Sequence, residues 1–167
     1  MYARNIGFIE ASRLAFQNYF NFQGRAQRAE YWWFQLLIVI VSIVASIFDV
    51  LTMGVAEDGL GFFGLIWSLV TIIPSLSIGW RRMHDVGKSG WWNFLSAAPL
   101  AWMIAATIAI STAPDANKAV IGTAIAIGLV SLIVSVIYVL ILLIRDSDPY
   151  DNRFGPSVKY HHADDFV

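Results

Sequence analysis

Long apolar runs separated by short polar segments dominate this chain. Four runs have the length that a membrane-crossing helix needs, roughly 20 residues at a rise of about 1.5 Å per residue across a hydrocarbon core of about 30 Å. They lie at residues 31–50, 60–80, 91–111 and 119–144. Because backbone N–H and C=O groups inside lipid must be paired within their own segment, we expect all four runs to be helical.

A further amphipathic segment is predicted at the N-terminus, over residues 5–22. Apolar side chains recur there about one helical turn apart, with an arginine among them: Ile6, Ile9, Arg13, Phe16 and Phe20. The segment is too short and too polar to cross a bilayer, so the pattern predicts a helix in the membrane interface. A soluble helix packed on the cytoplasmic loops is the alternative. The predicted fold is therefore an all-α membrane protein, a single integral domain over 1–167 that ends in a cytoplasmic tail, 145–167.

Composition supports a membrane location. Of the 167 residues, 57% are apolar and 14% are charged, whereas a water-soluble domain usually carries about 25% charged residues. This balance excludes a disordered chain, a nucleic-acid-binding tail and an ordinary water-soluble enzyme. The absence of cysteine excludes disulfides, thiolate nucleophiles and cysteine zinc sites.

The basic residues predict the orientation of the chain in the membrane. If the four runs cross the membrane, ten of the eleven Lys and Arg residues fall on one side, and Lys118 alone falls on the other. The positive-inside rule assigns the basic side to the cytoplasm. Both termini are then expected to be cytoplasmic.

Three polar segments interrupt the apolar background, at residues 22–34, 80–92 and 145–156. Each combines arginine, a carboxylate and glycine, and the topology above puts all three on the cytoplasmic side. The candidate site residues are Arg25, Arg28, Glu30, Arg81, Arg82, His84, Asp85, Lys88, Asn152 and Arg153. Two interpretations stay open: ion pairs that tie the helix ends together and organise the fold, or positive charge that binds an anionic lipid headgroup, another anion or a protein partner.

The order of motifs in these segments resembles one known family. FQGRAQRAEYWWF, then RRMHDVGKSGWW, then DNRFGP after the last apolar run resemble the YhaH-like family of small bacterial inner-membrane proteins, catalogued as a domain of unknown function. The resemblance covers about residues 15–157. It implies several helices in a bacterial inner (plasma) membrane, and it supplies no activity, substrate, cofactor or catalytic residue. The family's motif positions fall on Gly24, Arg25, Arg28, Glu30, Tyr31, Trp32, Arg81, Arg82, His84, Asp85, Gly87, Trp91, Asn152, Arg153 and Gly155.

Two other functions remain as alternatives to a non-enzymatic membrane protein. One is a small transporter or channel with the polar segments as its cytoplasmic mouth, although no charged residue lies in the middle of a span to carry ions or protons. The other is a lipid-modifying enzyme in which His84 acts as a general base oriented by Asp85. We predict no catalytic residue, metal site or cofactor.

Small residues at a spacing of four predict close helix packing in the last two runs. Each set lies along one helix face: Ala97, Ala101, Ala105 and Ala109 in the third run, then Gly122 and Ala126 with the interleaved Ala124 and Gly128 in the fourth. Such faces allow two helices to approach closely in lipid. We expect contacts within one copy of the chain, with a homo-oligomer as the alternative. The other expected partners are membrane lipids, including anionic ones, and not nucleic acid.

Overall fold

The structure is a computed structural model, and it describes residues 2–3, 5–54, 61–112 and 118–161. This part of the chain contains five α-helices: α1 (Phe8–Gln17), α2 (Arg28–Met53), α3 (Phe62–Asp85), α4 (Ala97–Thr112) and α5 (Lys118–Ile144). The 3-10 helix Gly90–Phe94 precedes α4. Two short strands, β1 (Tyr2–Ala3) and β2 (Tyr160–His161), pair antiparallel. The predicted all-α class is confirmed, and the strand pair is an addition that no sequence pattern predicted.

Four segments of the described chain are long and apolar enough to cross a membrane. They are Arg28–Met53, Phe62–Asp85, Gly90–Ala109 and Gly122–Ile144. They correspond to the four predicted runs, which confirms the number and order of spans. The first residue of the predicted run 60–80 lies outside the described residues, as do the last six of the predicted tail.

Helix α3 extends five residues beyond its predicted end. Its end carries the charged sequence Arg81–Asp85, which lies beyond the predicted run 60–80 because hydropathy falls there. The helix ends where Gly87 adopts a φ of +71°. The N–H of Gly87 then donates to the carbonyl of His84 at 3.0 Å, and that of Lys88 to the carbonyl of Met83 at 2.9 Å. This pair of bonds is the Schellman motif, which uses a left-handed residue to close a helix.

The Gly87 turn gives a testable prediction. Gly87→Ala is expected to lower the free energy of unfolding by about 1–2 kcal/mol, the cost of a left-handed conformation for a residue with a Cβ. A Cβ at this position would also lie 3.3 Å from Asp148 Oδ2. Thermal unfolding in detergent measures the change. Gly7→Ala is the matched control because a Cβ there meets nothing within 4 Å. Equal effects of the two variants would contradict the prediction.

The third run is divided rather than continuous. A 3-10 turn over Gly90–Phe94 comes first, and α4 begins at Ala97. Pro99 is the third residue of α4. A proline has no N–H to donate, and this loss costs least in the first helical turn, where no carbonyl would accept it. The proline therefore explains why the α-helix begins here and not at residue 91.

The described residues form two compact units: residues up to Gly90 together with those from Asp146 onward, and residues Trp91–Arg145. The single integral domain stays a prediction. In the first unit, α1, α2 and α3 pack against one another. Their shared core is built from Ala15, Ala26, Phe34 and Ile78.

Helix α1 packs against the rest of the first unit through small side chains, and its large apolar side chains are exposed. It is shorter than the predicted segment 5–22. Its buried residues are Ala11 and Ala15, whereas Ile9 is 82% exposed. Ile6, which the pattern grouped with the outward stripe, is buried. The exposed apolar side of α1 agrees with a helix at the membrane interface, and that location stays a prediction.

The far end of α2 is joined to the start of α3 by a buried carboxylate. Asp49, on α2, accepts hydrogen bonds from the N–H groups of Phe63 and Gly64, each at 3.0 Å. These are the second and third residues of α3, whose N–H groups have no acceptor within the helix. Asp49 thus caps the N-terminus of α3, although it belongs to the neighbouring helix α2. Gly61 leaves the required space, because a Cβ there would overlap the carboxylate of Asp49.

In the second unit, α4 packs against α5. The Trp102 indole N–H donates to the carbonyl of Ala124 at 3.1 Å. A Cβ at Gly128 would lie 2.7 Å from Met103 Cγ. The small residues Ala124 and Gly128 of α5 thus meet large side chains of α4 within one copy of the chain. Contact with a second copy stays a prediction.

Candidate functional site

The motif segments converge in the first unit. Polar residues of segments 22–34, 80–90 and 146–156 contact one another, and we call this group the motif cluster. They belong to the α1–α2 linker, the first turn of α2, the last turns of α3 and the chain after α5. Trp91, Trp92 and Arg145 belong to the second unit. Eight polar residues of the cluster are less than a tenth exposed: Arg25, Gln27, Glu30, Arg81, Arg82, His84, Asp85 and Ser147.

Arg25 joins the linker to both other segments. Its Nε donates to Asp85 Oδ1 at 3.0 Å. Its Nη1 donates to the carbonyl oxygens of Tyr150 at 2.9 Å and Gly155 at 3.3 Å. Its Nη2 donates to those of Asp148 at 2.6 Å and Asp85 at 3.4 Å. A guanidinium has five N–H donors, so these bonds use its full capacity, and the side chain is completely buried.

Asp85 stands between two arginines. While Oδ1 pairs with Arg25, Oδ2 accepts a hydrogen bond from Arg82 Nη1 at 2.6 Å, and the Arg82 side chain is also completely buried. The backbone carbonyl of Asp85 accepts the N–H of Asp148 at 3.2 Å. Removing one partner from such a buried group leaves an uncompensated charge, so each member depends on the others.

A second buried ion pair connects α2 and α3. Arg81 Nη2 lies 3.0 Å from Glu30 Oε1, and their side chains are 5% and 6% exposed. Glu30 lies in the first turn of α2, where a negative charge also favours the helix N-terminus. The carbonyl of Arg81 accepts the N–H of Ala26 at 3.0 Å. Helix α3 is thus bonded both to the linker and to the beginning of α2.

His84 contacts both the linker and the last segment. Its Nδ1 lies 3.0 Å from the carbonyl of Gly24, which requires Nδ1 to carry the proton. Its ring stacks on that of Phe154, with centroids 3.9 Å apart and an interplanar angle of 3°. Asn152 Nδ2 donates to the His84 carbonyl at 3.0 Å. His84 and Asp85 thus bond to different partners, and these contacts do not form the acid–base pair that a catalytic role would require.

An exposed ion-pair group surrounds Asp146. Lys159 Nζ donates to both carboxylate oxygens, at 2.6 and 2.7 Å. Arg28 Nε lies 3.7 Å from Oδ1, and the side chains of Arg28 and Asp146 are 49% and 46% exposed. The hydrogen bond from Lys159 is the main cause that lowers the pKa of Asp146 below its ordinary value. The carboxylate therefore stays ionised to a more acidic pH than a free aspartate.

The two remaining candidates lie at the rim of the cluster. Arg153 is exposed, and its guanidinium carbon lies 4.6 Å from the centroid of the Phe154 ring. Lys88 is half-buried in the turn that follows α3. Seven of the other candidates contact another segment of the cluster: Arg25, Arg28, Glu30, Arg81, His84, Asp85 and Asn152. Arg82 bonds to Asp85 within its own segment.

Sequence reasoning missed several contributors to the cluster. Ser77, buried in α3, has its Oγ 2.7 and 2.6 Å from the carbonyls of Asn18 and Asn21 and so fixes the start of the linker. Asp148 and Tyr150 contribute backbone carbonyls. An isolated serine in an apolar run and a carbonyl in a loop carry no pattern that would have identified them. Among the described residues, no group of three or more His, Cys, Asp or Glu side chains lies close enough to hold a metal ion.

Comparison with known proteins identifies the family. A family model described as "Protein of unknown function (DUF805)" matches residues 19–156. The inner membrane protein YhaH of Escherichia coli (strain K12) is 34% identical over 89 residues, which cover 53% of this chain and 74% of that protein. The inner membrane protein YhaI of the same strain is 35% identical over 89 residues, 53% of this chain and 72% of that protein. No solved structure matches the chain at a significant level.

The family match spans the motif cluster from the α1–α2 linker to Pro156. It also includes all four apolar segments that are long enough to cross a membrane. Both named relatives are inner membrane proteins. The chain therefore belongs to the DUF805 family and is a multi-pass inner-membrane protein.

Proposed function

We propose that this protein is a non-catalytic inner-membrane protein whose motif cluster lies at the cytoplasmic face, organises the fold and binds anionic lipid headgroups. The main support is the full use of the Arg25 donors on two other segments of the chain. A cationic group with no donor to spare is suited to holding segments together. It is poorly suited to turning over a substrate.

Orientation follows from where the basic residues lie. The cluster joins the beginning of α2 to the end of α3, so it occupies one end of this helix pair, and Asp49 bonds the other end. The positive-inside rule favours the cytoplasm for the arginine-rich end. The cluster then lies at headgroup level in the leaflet that carries anionic lipid, with both termini on the same side.

Exposed arginines around this end support lipid binding. Arg13 projects from α1 beside the exposed side chains of Ile9 and Phe16, and Arg28 and Arg153 are exposed on the cluster itself. A basic residue near an anionic membrane surface contributes about 1 kcal/mol to binding. These three cations therefore form the surface at which anionic headgroups would concentrate, whereas the buried arginines are occupied by the fold.

The test is a variant that removes the exposed charge and leaves the buried pairs intact. We expect the triple variant Arg13→Gln, Arg28→Gln, Arg153→Gln to retain at least about tenfold less phosphatidylglycerol, because three contributions of about 1 kcal/mol are lost. Lipid is measured after detergent extraction from vesicles of equal parts phosphatidylglycerol and phosphatidylcholine. The control carries lysine at the same three positions. Equal retention by the glutamine and lysine variants would overturn the lipid-binding part of the proposal.

A further inference from the structure

A half-open cleft lined by both polar and apolar residues lies beside the cluster, within the first unit. Its volume is about 320 Å3, and it is bordered by α1, the α1–α2 linker, the beginning of α2, the end of α3 and the chain after α5. The size falls at the lower end of the range for small-molecule sites. The charged residues that line it are Arg25, which is paired with Asp85, and the Arg81–Glu30 pair.

Arg81 has unused donors at this cavity. Neither its Nε nor its Nη2 makes a hydrogen bond with any residue that the structure describes, although Nη2 lies within ion-pair distance of Glu30. The residue is only 4% exposed. Leaving buried charged donors without acceptors is costly. Nε and Nη2 together form one edge of the guanidinium, the geometry that binds two oxygens of a phosphate or carboxylate.

Amide side chains of the linker add neutral donors to the same lining. Gln23 and Asn21 line the cavity with Gln27. Asn21 Nδ2 donates to Asn18 Oδ1, and Gln27 Nε2 donates to the carbonyl of Val158. Each amide nitrogen carries two hydrogens, so one on each remains for a ligand.

We propose that this cavity is a phosphate-binding site in which the Nε–Nη2 edge of Arg81 receives two phosphate oxygens and the linker amides bind the others. The proposal rests on the proposed function for the placement of the cavity among lipid headgroups, and it goes further in assigning one defined site. Arg25 takes no part because its donors are already used. The phosphate belongs either to a phospholipid headgroup or to a free phosphate ion.

The experiment uses the full-length protein in a neutral detergent and follows thermal unfolding by tryptophan fluorescence. Inorganic phosphate is titrated against chloride at constant ionic strength, and phosphatidylglycerol is compared with diacylglycerol, which lacks the phosphate. We expect a saturable rise in the unfolding midpoint. Stabilisation by inorganic phosphate and by phosphatidylglycerol indicates a site open to free phosphate, whereas stabilisation by phosphatidylglycerol alone indicates a headgroup site. No phosphate-dependent rise from either probe overturns the proposal.

Two variants locate the site. Arg81→Lys keeps the charge and removes the two-donor edge, so we expect at least about a tenfold weaker apparent affinity, in keeping with the loss of a charge-assisted hydrogen bond. Val158→Phe fills the cavity without altering Arg81 and should abolish the rise, which keeps the test decisive if Arg81→Lys does not fold. Unchanged affinity in either folded variant overturns the proposal. The triple glutamine variant above retains Arg81 and should keep the saturable rise, so failure of lipid binding by the exposed arginines is distinguishable from failure of phosphate binding at Arg81.

Discussion

Replacing Arg25 by methionine is expected to lower the free energy of unfolding by about 3–5 kcal/mol, the usual cost of removing one partner of a buried ion pair. The substitution leaves Asp85 with one of its two arginines and removes the donors from the carbonyls of Asp148, Tyr150 and Gly155. Chemical unfolding of the detergent-solubilised protein, followed by tryptophan fluorescence, measures the loss. Arg25→Lys should recover less than half of it, because an ammonium has three donors and no planar fork.

Arg28 offers the matched control three residues further along the chain. It also pairs with an acidic residue of the last segment, but at 3.7 Å and with both side chains about half exposed. Exposed ion pairs contribute at most about 1 kcal/mol, so Arg28→Met should have a small effect. Similar losses in Arg25→Met and Arg28→Met would contradict the view that Arg25 organises the cluster.

Replacing Asp49 by alanine is expected to cost about 3–6 kcal/mol at the other end of the helix pair. The change removes the acceptor for the N–H groups of Phe63 and Gly64, and charge-assisted bonds of this kind are each worth about 1.5–3 kcal/mol. Asp49→Asn keeps one carbonyl acceptor and should cost less. Unfolding is measured as for Arg25, and an Asp49→Ala protein as stable as the unmodified one would contradict the capping role.

A substitution at Gly61 provides a second test of the contact with Asp49. Gly61→Ala alone should be destabilising by about 1–3 kcal/mol, as overpacking usually is, because the new Cβ overlaps the carboxylate of Asp49. When Asp49→Ala has already removed that carboxylate, the second change should cost little. The double variant should therefore be at least about 1 kcal/mol more stable than the sum of the single effects implies. Additive effects would show that the two residues do not share this contact.

Hydropathy was sufficient to locate the four spans because it indicates whether lipid or water surrounds a helix. It located the four apolar segments, and it failed where a helix continues beyond the apolar run. Residues Arg81–Asp85 are helical although the segment is charged, since Arg81 pairs with Glu30 and Asp85 with Arg25, both far away in the sequence. The Schellman turn at Gly87 marks the true end of α3, and a glycine followed by lysine carries only a weak local signal for it.

The sequence was enough to predict which residues belong to the candidate site, but not which of them pair with one another. The sequence pattern grouped Arg25, Glu30, Arg81 and Asp85, and the structure brings them together. It did not indicate that Asp85 lies between two arginines or that Glu30 pairs with Arg81, because any of the basic residues could satisfy any carboxylate. The acceptors of Arg25 in the last segment are backbone carbonyls, which every residue has. Asp49 lies near the end of the predicted run 31–50, and no local pattern marks its acceptor role, since that role depends on a glycine twelve positions away.

The Arg25 contacts have a consequence for how the protein is made. One acceptor of Arg25, the carbonyl of Gly155, lies 130 residues further along the chain. The ribosome therefore synthesises Arg25 long before it synthesises the last of its acceptors, and all four apolar segments are made between the two. During that interval the guanidinium depends on water or on lipid phosphate for its hydrogen bonds. The hydrogen bonds of Arg25 are therefore completed when the nascent chain is finished, and not when its first helices are inserted. A prematurely terminated product would carry a basic group that membrane proteases can reach.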